Sequence, residues 1–238
     1  MKGYTVLKSD FLKGIYHGIP IALGYLSVSF GFGILAATSG LSVFSATAIS
    51  ASNLTSAGQA AGVAVIAAGG TLFEMILTQL VINSRYALMS LSLSQKLDSS
   101  FTTIKRLIAS FGITDEIFAV ASSQPFLLTP SYMYGLILIS FLGWTSGTAI
   151  GASAGEFLPP SVTNAMGIVL YGMFLAIIVP SARKQKSVLF TVLVSAGLSI
   201  IFKYIFTSVS AGFSVIICAL FSSALSAFIF PVDEEGNK

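Results

Sequence analysis

Six ionisable side chains inside or beside long apolar stretches are the first candidates for chemistry: Glu74, Arg85, Asp115, Glu116, Glu156 and Lys203. A charged side chain at the centre of a membrane helix costs about 2.5–3.5 kcal/mol on insertion scales, so such residues usually serve transport or pair with one another. Glu156 precedes two prolines and Lys203 lies near the end of an apolar segment. Interfacial positions explain these two, and the other four residues are the stronger candidates.

Asp115 and Glu116 are adjacent acids in an apolar stretch that has no neighbouring cation. Two carboxylates in a medium of low dielectric disfavour each other's charged form, which would suit one of them to gain and lose a proton during a cycle. Alternatively, Thr114 or Asp115 caps a short helix that begins there. The two interpretations are compatible.

Arg85 and Tyr86 stand near the end of another apolar segment. The guanidinium could extend to the membrane interface, pair with Asp115 or Glu116, or hold a substrate carboxylate. Glu74 is eleven residues before Arg85, about 16 Å along a helix. These two residues therefore cannot pair directly.

Residues 45–59 form a stretch rich in small and hydroxyl side chains, with Asn53, Ser56 and Gln59 as its polar groups. Non-helical backbone survives at membrane depth only where protein or a water-filled cavity satisfies it. If the helix unwinds here, its free N–H groups could meet an anionic substrate group and its free carbonyls an ammonium group. Alternatively, these side chains only form hydrogen bonds between helices.

The elements that carry these residues are predicted to be membrane helices. Only 9% of the 238 residues are charged, against about 25% in an ordinary soluble domain, and the mean hydropathy is +0.90. The apolar runs are continuous and lack the alternation of a barrel strand. We predict an all-α, polytopic membrane bundle forming one transport domain over residues 1–238. Its apolar segments are 17–38, 43–69, 71–93, 132–153, 161–180, 187–206 and 210–230, with 104–124 as a weaker, partial one.

The positive-inside rule predicts an orientation for these segments. Lys and Arg cluster near residues 2–13, 96–106 and 183–186, so these regions and both termini are expected in the cytoplasm. Residues 43–93 must then make one net crossing, although their length suggests two passes. About six or seven crossings result, with a broken or re-entrant element near residues 45–60.

Glycines recur every four residues at Gly143, Gly147, Gly151 and Gly155, which indicates a helix face for close packing or a groove facing a substrate. A weak similarity between residues 33–41 and 147–155 is compatible with inverted repeats. No enzyme, cofactor or metal site is expected, because His17 is the only histidine and no phosphate-binding Gly-Lys-Ser/Thr loop occurs. No basic stripe indicates a nucleic-acid partner.

Several motifs resemble the AzlC family in order along nearly the whole chain. They are Gly18-Ile19-Pro20, Ala57-Gly58-Gln59, Asn83-Ser84-Arg85-Tyr86, Thr114-Asp115-Glu116 and Trp144 with Gly147-Thr148. Two departures are Ser84, where the family pattern is expected to have Leu, and the acid Glu74.

The resemblance implies the large subunit of a two-component exporter of leucine, isoleucine and valine, sometimes methionine. It also implies a small AzlD-like membrane subunit, energy from the proton motive force and a prokaryotic cytoplasmic membrane. Alternatives are a carrier of another small metabolite and a non-transporting scaffold subunit. The candidate substrate-binding residues are Asn53, Ser56, Gly58, Gln59, Asn83, Arg85 and Tyr86, and the candidate proton-coupling residues are Asp115 and Glu116.

Overall fold

The computed structural model describes residues 2–155, 159, 161, 172, 175 and 178–231. Its helices are α1 Lys2–Thr38, α2 Val43–Ser52, α3 Ser56–Ala67, α4 Leu72–Ser94, α5 Thr103–Ser110, α6 Asp115–Ser122, α7 Pro130–Gly155, α8 Lys186–Tyr204 and α9 Ala211–Ile229. Within these residues an isolated bridge between Leu97 and Leu128 is the only β contact. The predicted all-α class is confirmed.

Four of the described helices are long and apolar enough to cross a membrane: Asp10–Thr38 within α1, Pro130–Gly155, Lys186–Tyr204 and Gly212–Ile229 within α9. α4 has 23 residues, a length of about 35 Å. The predicted segment 161–180 falls mostly outside the described residues. The polytopic character is confirmed, whereas the orientation of the termini stays a prediction.

The predicted broken element is present between α2 and α3. α2 has ten residues and α3 twelve, so each is about 15–18 Å long, near half of a hydrocarbon core of about 30 Å. Asn53 ends α2 with extended backbone (φ −149°, ψ 105°). The Thr55 hydroxyl then accepts the Gly58 N–H at 3.3 Å and so begins α3. Inverted repeats stay a prediction.

The weaker segment 104–124 is divided into α5 and α6, each of eight residues. Each is about 12 Å long, so these residues do not form one membrane-crossing helix. Hydroxyl side chains determine where both helices begin, because Thr102 and Thr114 accept backbone N–H groups of the first turns. The second of these caps positions the acid pair.

The described residues form two compact units. The first unit lies within Met1–Ala60 and Asn83–Leu170, and the second within Ala61–Ile82 and Tyr171–Lys238. The prediction of a single transport domain is not tested by this division. Most candidate residues belong to the first unit, and Glu74 belongs to the second.

In the first unit, α1 packs along α7 through the glycine face. A Cβ added to Gly143 would lie 2.4 Å from the Ala22 carbonyl oxygen, and one added to Gly151 would lie 2.1 Å from that of Phe30. Gly147 makes a similar approach. These three glycines therefore serve close helix packing, because no side chain fits between the two backbones. This rigid pair carries two aromatic residues of the candidate site.

Candidate substrate and coupling site

The acid pair begins helix α6 in the first unit. Thr114 is the N-cap, and its hydroxyl accepts the Ile117 N–H at 3.3 Å. Asp115 and Glu116 occupy the first turn, where the positive end of the helix dipole favours negative charge. The capping interpretation is confirmed, and it leaves both carboxylates available for other contacts. They take different partners.

Asp115 forms an ion pair with Arg85 of helix α4. The Arg85 Nη1 atom is 2.6 Å from Asp115 Oδ2, and the two side chains are 42% and 39% exposed. Pairing is therefore the arrangement that this structure shows for Arg85. Partly exposed pairs of this kind contribute about 0–1 kcal/mol, so the guanidinium can change partners at low cost.

Glu116 faces Tyr25, a buried residue of α1. The Tyr25 hydroxyl oxygen is 2.6 Å from Glu116 Oε2 and 2.5 Å from Thr114 Oγ1. The phenol hydroxyl has a single hydrogen to donate. When Tyr25 donates it to the carboxylate, the Thr114 hydroxyl can donate to Tyr25. The Thr114 oxygen still accepts the Ile117 N–H. Glu116 thus ends a short chain of hydroxyl groups.

Tyr25 and Trp144 connect the acid pair to the interrupted helix. Their rings pack edge to face with centroids 5.2 Å apart and planes at 79°. The Trp144 Nε1–H donates to Gln59 Oε1 at 3.1 Å, and the Gln59 amide N–H donates to the Asn53 carbonyl at the end of α2. Gln59 is 2% exposed, so it fixes the break from within the protein.

A second set of contacts reaches the break from the α4 side. The Thr55 hydroxyl, in the break itself, donates to Asn83 Oδ1 at 2.8 Å. Asn83 is two residues before Arg85 on α4. The interrupted helix and the acid pair are therefore joined by two routes, one through Trp144 and Tyr25 and one through α4. This arrangement makes a single site out of segments remote in sequence.

Comparison with known proteins identifies the family of this chain. The family described as AzlC protein matches residues 20–158, more than half of the chain. The chain belongs to the AzlC family. No solved structure matches it.

Three relatives of this AzlC-family chain are membrane or transport proteins by name. The inner membrane protein YgaZ of Escherichia coli is 29% identical over 198 residues, 80% of this chain and 81% of that protein. An uncharacterized membrane protein of Archaeoglobus fulgidus is 34% identical over 73% of this chain and 76% of its own length. The branched-chain amino acid transport protein AzlC of Bacillus subtilis is 26% identical over 80% and 74%.

In this AzlC-family chain, the candidate substrate-binding and proton-coupling residues lie around the connected site, whereas Glu74 and Lys203 belong to the second unit and Glu156 lies outside the described residues. Asn53, Gln59, Asn83, Arg85, Asp115 and Glu116 belong to the connected set of contacts. Tyr86 lies beside Arg85, with its hydroxyl 3.5 Å from Nη2. Ser56 is the first residue of α3, and Gly58 donates its N–H to Thr55. The Asn53 carbonyl accepts an N–H of the Gln59 side-chain amide.

Three residues complete the site but were not among the candidate site residues: Tyr25, Trp144 and Thr148, of which the last two had been noted only as part of a family motif. The Thr148 hydroxyl is 2.8 Å from Ser50 Oγ, which also donates to Gln59 Oε1 at 3.3 Å. All three lie in apolar helices and contact residues 85 to 98 positions away. For their role in the site, the sequence gives only a general signal: a buried Tyr or Trp needs a partner for its polar atom.

Glu74, in the second unit, is separate from this site and has a different setting. It is 3% exposed, and its Oε1 accepts the Ser210 hydroxyl at 2.5 Å and the Gly212 N–H at 2.9 Å. Ser210 is the N-cap of α9 and uses its own side chain for this contact. Glu74 therefore caps α9 from another helix, satisfying a backbone donor that has no partner within α9.

Proposed function

We propose that this chain is the large subunit of a secondary transporter that exports leucine, isoleucine and valine, and methionine, from the cytoplasm. It would use the proton gradient and work with a small AzlD-like membrane subunit in a prokaryotic cytoplasmic membrane, with both termini cytoplasmic. The family assignment and the name of the Bacillus subtilis relative support the substrate class. The name of the Escherichia coli relative, an inner membrane protein, supports the proposed location in the cytoplasmic membrane.

One observation carries the coupling part of the proposal. Two adjacent carboxylates at one helix end have partners of opposite kinds, a guanidinium for Asp115 and the neutral Tyr25 hydroxyl for Glu116. Protonation of Asp115 would leave Arg85 unbalanced, whereas protonation of Glu116 changes only a contact with a neutral group. We therefore assign the proton-coupling role to Glu116, with Asp115 holding Arg85.

The substrate site is proposed at the interrupted helix beside this pair. The break at Asn53–Thr55 brings the end of α2 and the start of α3 together, where polar backbone ends can serve a zwitterion. Gln59 holds the Asn53 carbonyl in this structure, so an ammonium group would replace its amide N–H. The Tyr25 and Trp144 contacts then connect substrate occupancy to Glu116.

Export is tested in cells loaded with a dipeptide that contains leucine, isoleucine or methionine. The chain is expressed with and without the small subunit, and internal and external amino acid are followed over time. We expect faster efflux that needs the subunit and that collapses in Glu116→Gln. Asp115→Asn is run beside it, and we expect that variant to weaken substrate affinity more than coupling.

Equal efflux from wild type, Glu116→Gln and cells without the chain would contradict the proposal, provided that the protein is in the membrane. Efflux of a different metabolite under the same conditions would retain the carrier and replace its substrate. Partner binding without any transport would favour the scaffold alternative. Unchanged proton dependence in Glu116→Gln, with efflux intact, would remove the coupling assignment alone.

A further inference from the structure

The Arg85 guanidinium forms its ion pair through Nη1, and the edge formed by Nε and Nη2 is only partly satisfied. Its Nη1 contacts Asp115 at 2.6 Å. Its Nε is buried and has no hydrogen-bond partner among the described residues, and its Nη2 is 3.5 Å from the Tyr86 hydroxyl, at the limit of a hydrogen bond. A buried N–H group without an acceptor is uncommon in proteins and calls for an explanation.

The geometry of the Nε–Nη2 edge indicates which acceptor would fit. Nε–H and one Nη2–H point in the same direction, and a carboxylate accepts both in a bidentate pair. A neutral carbonyl has one oxygen and no charge, so it satisfies this edge less well. Arg85 stands two residues after Asn83 on α4, and Asn83 contacts the helix break through Thr55.

We infer that the Nε–Nη2 edge of Arg85 binds the carboxylate of the transported substrate, with Asp115 as the positioning residue that orients the guanidinium. This inference rests on the proposed function and adds the protein group that binds the substrate's carboxylate. The substrate is thereby limited to molecules that carry a carboxylate. The amino alcohol and the amide of the same side chain are excluded as good ligands.

The test measures thermal stabilisation of the purified full chain by three probes: L-leucine, 4-methylpentanoate and L-leucinamide. The first two carry the carboxylate, and the third replaces it with a neutral amide. Unfolding is followed by the fluorescence of Trp144, the only tryptophan in the sequence. We expect wild type to be stabilised by leucine and 4-methylpentanoate at concentrations where leucinamide has little effect.

Arg85→Lys keeps the positive charge and removes the planar pair of N–H donors. It therefore tests the bidentate contact separately from the charge. We expect it to weaken the response to leucine and 4-methylpentanoate about 10- to 100-fold, the scale of a charge-assisted hydrogen bond. Its response to leucinamide should stay unchanged. Arg106→Lys is the matched control, because Arg106 lies in the same unit and its Nε already donates to the Phe101 carbonyl.

Each outcome separates this inference from the proposed function. Leucine stabilisation that is equal in wild type and Arg85→Lys would overturn the role of Arg85 and leave the substrate class intact. An Arg85-dependent response to 4-methylpentanoate without a response to leucine would retain the anchor and overturn the amino-acid substrate. The absence of any Arg85-dependent response to either carboxylate would overturn the inference.

Discussion

The two units of this protein each place carboxylates at a helix N-terminus, and they do so with opposite results. In the first unit, Asp115 and Glu116 begin α6, and Asp115 is 39% exposed. In the second unit, Glu74 is 3% exposed and accepts both a hydroxyl and a backbone N–H at the start of α9. The favourable field of a helix end is common to both sites.

The difference lies in what else each acid contacts. The acids of the first unit contact side chains, the Arg85 guanidinium and the Tyr25 hydroxyl, and these contacts can change as the charge of the acids changes. Glu74 holds a backbone N–H that has no partner within its own helix. An acid in an apolar segment is therefore not functional by itself, and its partners distinguish a site from a structural cap.

Neutralising the two kinds of acid gives the largest contrast. We expect Glu116→Gln to reduce net proton-driven leucine efflux by about 100-fold or more, the scale at which loss of a positioned proton carrier acts in enzymes. Leucine exchange across the membrane without a net proton flux should persist. Glu74→Gln is the control with the same change of charge and should keep efflux. The comparison fails if Glu74→Gln is as inactive as Glu116→Gln.

Truncating Glu74 should affect folding strongly, because it removes the acceptor for the start of α9. We expect Glu74→Ala to lower the melting temperature of the purified chain by several degrees, with the Gly212 N–H left buried and unpaired. Glu74→Gln retains an acceptor oxygen and should melt closer to wild type. Equal melting of the alanine and glutamine variants with wild type would show that Glu74 does not cap α9.

Removing the Tyr25 hydroxyl should have a comparable effect on stability and, in addition, a specific effect on the site. Tyr25→Phe keeps the ring contact with Trp144 and loses the hydrogen bonds to Thr114 and Glu116. We expect a loss of about 1.5–3 kcal/mol in unfolding free energy, the range for hydrogen bonds to charged groups. Tyr16→Phe, at a 73% exposed position of the same helix, should be neutral. Similar losses of unfolding free energy in both variants would show that the Tyr25 hydroxyl does not stabilise the site.

The smallest effect is expected for the ion pair of the first unit. A double-mutant cycle with Arg85→Gln and Asp115→Asn should give a coupling energy of about 0.2–1 kcal/mol, since both side chains are partly exposed. The unfolding free energies of wild type, both single variants and the double variant supply the measurement. A coupling energy of several kcal/mol would mean that the pair is a fixed structural element, as Glu74 is.

Much of the local structure follows from the sequence. Long uncharged runs predict membrane helices, the small polar stretch at 45–59 predicts the interruption, and Thr114 predicts the start of α6. Each of these features depends on residues a few positions apart, so hydrophobic periodicity and capping suffice to find it. The end of α5 was harder to predict, because the apolar residues Phe111 and Ile113 lie directly after it and give no polar signal.

The sequence alone indicates that this chain is helical, apolar and interrupted near residues 45–60, and it singles out the acids at 74, 115 and 116. Only the tertiary structure decided which acid faces Arg85, which faces Tyr25 and which caps α9. These partners are 30, 91 and 138 positions apart in the sequence. The physical reason is that carboxylates have the same chemistry wherever they stand, and packing alone brings each to its donor.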